Sequence, residues 1–153
     1  MGMDLVGKKA TTEKGEYFRN NVWWWRPLWM YVCDMCPTIL NNNDKERGTY
    51  NDGHFINADK AKRIAIRLEH LCNQGEVKKF EIDRKFMLDN LPDIECKICH
   101  GSGKRNDEVV QGTCNGCEEK GTVRPWDCSY PFSEKNVKDF AKFCRESGGF
   151  CIW

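Results

Sequence analysis

Between Asn57 and Gly75, apolar residues recur at Ala61, Ile64, Ala65, Leu68, Leu71 and Cys72. The spacing i, i+3, i+4, i+7, i+10, i+11 lays one stripe along one face of an α-helix. Asn57 offers an N-cap oxygen, and Gly75 the left-handed residue that closes a helix. The rhythm returns at Val137, Phe140, Ala141 and Cys144, behind a Ser133 cap and ahead of Gly148 and Gly149. A less regular helix is predicted from Glu76 to near Asn90, with Val77, Phe80, Met87 and Leu91 facing inward. Pro92 bars its continuation. The short Asn73-Gln74-Gly75 break predicts that this helix folds back antiparallel beside 57–74.

Elsewhere the pattern is weaker. Residues 1–22 are polar and show no apolar stripe, and 39–54 read as an exposed loop rich in turn formers. Four of the six tryptophans fall in NVWWWRPLWMYV, residues 21–32. Each aromatic buries some 150–250 Å², so this run is expected to nucleate the core. Three adjacent Trp cannot all face one way, which leaves one or two rings for a protein contact or a base-stacking platform. Trp29 and Trp126 are the candidates. Val123 to Trp126 should run extended, and the apolar tail Phe150–Trp153 should dock as a short strand or plug against the Trp-rich run.

Two Cys-x-x-Cys knuckles, Cys96/Cys99 and Cys114/Cys117, stand fourteen residues apart. Each turns two sulfurs towards one point, and four thiolates in a tetrahedron at about 2.3 Å suit one structural Zn²⁺. A third pair, Cys33/Cys36, is open to three readings: half a second metal site, a redox pair, or two buried thiols. The last is favoured, because no βαβ pattern surrounds it and Cys72, Cys128, His54 and His70 are scattered as further ligands. The predicted fold class is α+β, mainly helical: a single domain, 1–153, with an inserted four-cysteine zinc hairpin. Its parts are a Trp-rich 1–56, a helical pair 57–92, the hairpin 93–125, and a C-terminal helix and tail 126–153.

The first knuckle reads CKICHGSG, a complete CxxCxGxG unit; the second keeps Cys114, Cys117 and Gly121 but carries Glu119 at the inner glycine. This resembles the cysteine-rich module of DnaJ-type co-chaperones, with two units instead of four. The resemblance implies one zinc hairpin and, with no His-Pro-Asp tripeptide in the chain, no chaperone activity. His100, adjacent to Cys99, would lie outside a closed four-thiolate set. GKKATTEKGEYFRNNVWWWRPLW and PWDCSYPFSEKNVKDFAKFCRESGGF look like a family of small phage and prophage proteins. That resemblance implies the cytoplasm of a bacterial host and carries no activity with it.

Charge then weighs the functions. The chain carries net +1 with 31 % charged residues, and no apolar run approaches the ~20 residues of a spanning helix. The N-terminus has no signal-like apolar stretch, so reduced cytoplasmic thiols are expected rather than disulfides. No nucleophile, P-loop, dinucleotide or HExxH motif occurs, so an enzyme is not expected. Segment 93–125 holds five basic and six acidic residues, net −1, and four thiolates with one Zn²⁺ add −2. Such a hairpin is a poor phosphate reader. Glu118, Glu119, Trp29 and Trp126 are therefore candidate contacts to a protein, for a phage product a host enzyme or antiviral complex. The alternative is nucleic-acid binding through the basic helix, by Lys60, Lys62, Arg63 and Arg67.

Overall fold

In residues 1–22, Met3 and Leu5 alternate with Asp4 and Val6, a period-two signal too brief to stand out beside the helical stripes. They form strand β1 (Gly2–Gly7), followed by a one-turn helix α1 (Glu13–Glu16) and strand β2 (Tyr17–Asn21), antiparallel to β1. The computed structural model describes residues 2–153 and is α+β, mainly helical.

The Trp-rich run is helix α2 (Val22–Met35), whose Asn21 cap accepts from Trp24 N at 3.1 Å. Trp25 and Trp29, one turn apart, stack at 5.3 Å, and both are buried. Buried indoles need acceptors for their N–H groups. Trp25 Nε1 donates to Gly48 O at 2.8 Å and Trp29 Nε1 to Lys45 O at 2.9 Å. Those acceptors lie on or beside α3 (Asn42–Arg47), a helix inside the segment expected to be an exposed loop. Its pattern is almost wholly polar, and its one buried side chain is Asp44. A side chain at Gly48 would collide with the Trp29 ring.

Strand β3 (His54–Ile56) leads into α4 (Ala58–Asn73), whose cap Asn57 accepts from Lys60 N at 2.9 Å. Helix α5 (Glu76–Asp89) follows, but α4 lies along α6 (Glu134–Glu146), not along α5. The stripe on α4 packs in one core with Val137, Phe140 and Ala141 of α6. In α5, Val77 is buried and Phe80 contacts Tyr31 and Phe132, at 4.8 and 4.9 Å between centroids. Ile82, Phe86 and Met87 are exposed, so Met87 does not face inward as expected.

The tail is strand β8 (Phe150–Ile152), central in a four-stranded antiparallel sheet of order β2-β1-β8-β3. It does not merely plug the Trp-rich helix: it bridges the first strand to the third. Met3, Leu5, Ile56, Phe150 and Ile152 form the inner face and pack with α2, α4 and α6 into one core. Phe140 and Phe150 touch edge to face at 6.0 Å there.

The chain divides into two units, one of Met1–Arg84 with Tyr130–Trp153, the other of Lys85–Ser129. The second unit is longer than the 93–125 hairpin, since it takes in the end of α5 and the residues up to Ser129. The second unit holds β4 (Ile94–Glu95), β5 (Lys104–Asn106), β6 (Gln111–Thr113), β7 (Thr122–Val123) and a 3₁₀ turn, Trp126–Ser129. That turn begins at Trp126, the last residue of the stretch expected to run extended. Among the described residues no helix is long and apolar enough to cross a membrane.

Candidate metal centre

The second unit is built from two copies of one device. A short strand leads into each knuckle and another leads out: β4 and β5 flank Cys96/Cys99, while β6 and β7 flank Cys114/Cys117. β4 pairs with β7 and β5 with β6, all antiparallel. The hydrogen bonds repeat across this pseudo-twofold. Cys96 N donates to Gly121 O at 2.8 Å, and Cys114 N to Gly103 O at 2.9 Å. Gly103 N donates to Cys99 Sγ and Gly121 N to Cys117 Sγ, each at 3.3 Å.

Backbone shape repeats as well. After the first knuckle His100, Gly101 and Gly103 are left-handed; after the second, Glu118, Glu119 and Gly121. Gly103 and Gly121 admit no side chain, because a Cβ at each would run into the backbone of the opposite knuckle, at Glu119 O and Gly101 O. At Glu119 a non-glycine residue holds φ +70° where the other half has glycine. Its Oε1 accepts from Thr113 Oγ1 at 2.5 Å.

All four cysteines are buried and form the unit's core, with Val123 packed against them. Their sulfurs lie within 4.8 Å of one another, with Cys96–Cys114 at 3.9 Å and Cys99–Cys117 at 3.6 Å. A tetrahedron with 2.3 Å metal–sulfur bonds has edges of about 3.8 Å. A disulfide would need about 2.05 Å, and all ten cysteines are free. The donor set therefore fits one soft, tetrahedral divalent ion. Burial raises Cys99, but the Gly103 amide and the three neighbouring thiols outweigh it and bring it down to about 7.

Beyond the cysteines the unit is tied by polar contacts. Asp107 Oδ1 accepts from Val109 N and Val110 N at 2.9 and 2.8 Å, while Arg105 Nε reaches Asp107 Oδ2 at 2.6 Å. Arg105 and these amides hold the Asp107 carboxyl down to about 2. Arg124 donates to Leu88 O and Leu91 O, both at 2.6 Å, and to Asp93 at 3.0 Å. It thereby ties down a carbonyl in the last turn of α5 and one in the segment that follows it. Sequence reading missed Arg124, since nothing local pairs it with carbonyls more than thirty residues away.

The remaining candidates scatter. Trp29 is 1 % exposed, so as a partner contact it is corrected: its ring is core and its N–H is spent on Lys45 O. Trp126 is 64 % exposed, and Glu118 and Glu119 are exposed. His100 is exposed and lies outside the sulfur cluster. Cys36 is buried in the main core with Cys33 packed on it, and burial pushes the two thiols up to about 11 and about 12. Among the described residues they join no metal-binding group. In the basic helix, Lys60 reaches Asp44 at 2.5 Å, Arg63 reaches Asp59 at 3.5 Å, and Arg67 Nε donates to Met35 O at 3.1 Å. Lys62 is exposed.

No family model matches the chain, and no curated protein or solved structure does either.

Proposed function

We propose that this is a non-enzymatic zinc protein whose hairpin is a metal-braced arm for binding another protein. The observation that carries the reading is the closed set Cys96, Cys99, Cys114 and Cys117. Four thiolates fill a tetrahedral zinc, and a filled zinc has no position for water or substrate, so its role is structural. The metal holds the two knuckles in register; the protein supplies the fixed sulfurs and the two glycine amides that donate to them.

What the arm displays favours a protein partner. Ile98, Val109 and Trp126 are exposed, and Val109 stands at a turn tied down by Asp107. Glu118 and Glu119 add acid beside a core that would carry −2 once four thiolates hold Zn²⁺. An anionic arm gains little from phosphates and is steered towards basic protein surfaces. The resemblance to phage proteins makes that partner a host enzyme or antiviral complex in the bacterial cytoplasm. Nucleic-acid binding through Lys60, Lys62, Arg63 and Arg67 is the weaker reading, because three of the four already serve partners within the fold.

Native mass spectrometry of protein purified without added zinc tests the metal: one zinc per chain is expected, and none overturns the reading. Charge reversal tests the arm. Glu118→Lys with Glu119→Lys should weaken capture of a host protein from nuclease-treated lysate while leaving the metal in place. A salt-sensitive DNA complex, lost with Lys62→Ala and Arg63→Ala but unchanged by the glutamate reversal, would favour the nucleic-acid reading.

A further inference from the structure

The four-stranded sheet has a second face, away from the helices, and it is not polar. In an antiparallel sheet alternate residues point to opposite sides, so the neighbours of the buried Met3, Leu5, Ile56, Phe150 and Ile152 share the outer side. Pairing is Tyr17↔Val6, Val6↔Cys151 and Cys151↔Phe55. One row therefore crosses all four strands: Tyr17, Val6, Cys151, Phe55. At the usual strand spacing it is about 14 Å long. Trp153 continues the ladder, exchanging both backbone hydrogen bonds with Asp4, and its ring lies on Gly53.

Tyr17, Val6, Phe55 and Trp153 are 51, 39, 50 and 52 % exposed, while Cys151 between them is 5 % exposed and belongs to neither core. A solvated sheet face normally alternates to polar residues. At roughly 200 Å² per aromatic side chain, three half-exposed rings leave about 300 Å² of open aromatic surface. With Val6 and a polar rim, that is the apolar centre of an interface of roughly 800 Å² per partner.

Charge selects the occupant. The outer-facing residues of the four strands include one acid, Asp4, and one base, Arg19, paired with each other at 3.4 Å, with Tyr17 Oη also donating to Asp4. The face is neutral, so a strongly charged partner gains nothing there. A copy of the same face meets no repulsion and matches it in size and polarity. We propose that this open face docks against the same face of a second copy of the chain about a two-fold axis. Two such sheets pack about 10 Å apart with their strands about 30° askew, and a two-fold makes the contact self-complementary. The row lies wholly within the first unit and shares no residue with the metal site, so the two readings stand or fall independently.

The test uses the full metal-loaded chain in light scattering across a concentration series. The expected mass rises to twice the 17.9 kDa of one chain. Phe55→Asp and Val6→Lys should each weaken the dimer at least about tenfold, as loss of central anchors does. Far-ultraviolet circular dichroism checks that both variants fold. Chelation and Phe86→Asp, which touch neither strand nor row, should leave the mass unchanged. A single-chain mass at every concentration overturns the proposal. So does a dimer that survives both face substitutions, which would assemble elsewhere.

Discussion

Asp44 is where the first unit is most open to a single change. Its carboxylate is 3 % exposed, and it accepts from Asn41 N at 3.0 Å, His54 Nε2 at 3.1 Å and Lys60 Nζ at 2.5 Å. Three elements, α3, β3 and α4, thus meet on two oxygens. Asp44→Ala removes half of the capping box with Asn41, worth about 1 kcal/mol. It also strands Lys60, and breaking a buried pair from one side costs about 3–5 kcal/mol. Lys60 keeps some exposure and can turn its ammonium to water, which trims that figure. The expected loss is about 2–4 kcal/mol, or about 5–15 °C in Tm for a unit of this size. The assay is thermal or urea unfolding followed by tryptophan fluorescence. Trp25 and Trp29 bond to carbonyls at Lys45 and Gly48 and so sense α3 directly.

The pH dependence carries a sign. Burial alone would raise the Asp44 pKa, but Lys60, the Asn41 amide and His54 outweigh it and hold it below the ordinary carboxylate value. A depressed folded pKa means that the contribution is full above the unfolded pKa, about 4. It is lost as pH falls through the folded value. Wild type should therefore lose part of its margin over Asp44→Ala below about pH 4. A variant within about 0.5 kcal/mol of wild type at neutral pH, the range of ordinary surface changes, would refute the assigned role.

Three further outcomes are expected. Chelation, or Cys114→Ser, should unfold residues 85–129 as seen by hydrogen exchange, while most helical circular dichroism survives, because α2, α4 and α6 share a core without metal; Cys33→Ser should leave metal content unchanged. Gly121→Ala should abolish metal retention in mass spectrometry, since φ is +73° and the added methyl meets the Gly101 carbonyl. Glu119→Gly should change stability by less than about 1 kcal/mol in urea unfolding of the metal-loaded protein, the relief of a left-handed non-glycine residue offsetting the lost Thr113 hydrogen bond.

What the sequence disclosed divides along local and distant causes. The α4 and α6 stripes with their Asn57 and Ser133 caps are local, and the helices start and stop where those residues stand. The cysteines that the spacing singled out are the four the fold gathers. Strand β1 was illegible because it is short and one of its two partners, the tail strand β8, lies some 147 residues away. The tail was expected as a short strand or plug, but its central place between β1 and β3 depends on pairings no local pattern announces. Helix α3 lacks an apolar stripe: it is held by indole N–H groups from α2 and by one buried carboxylate. Its capping pattern, Asn41 with Asp44 three residues on, was the one local signal. Helix α5 misled because its apolar residues fall on more than one side, so spacing alone could not choose its neighbour.

The two knuckles sit so close that Gly103 and Gly121 each lie against the other's backbone. Selection on the hairpin therefore cannot act on one half alone. A side chain gained at either glycine is paid for across the dyad, by the loop that did not mutate. The second knuckle carries Glu119, its side chain turned to Thr113 of its own half, where the first has Gly101, yet it keeps glycine at 121. Homologous chains are expected to vary at the first kind of position and to keep or lose the two interlocking glycines together, along with all four cysteines.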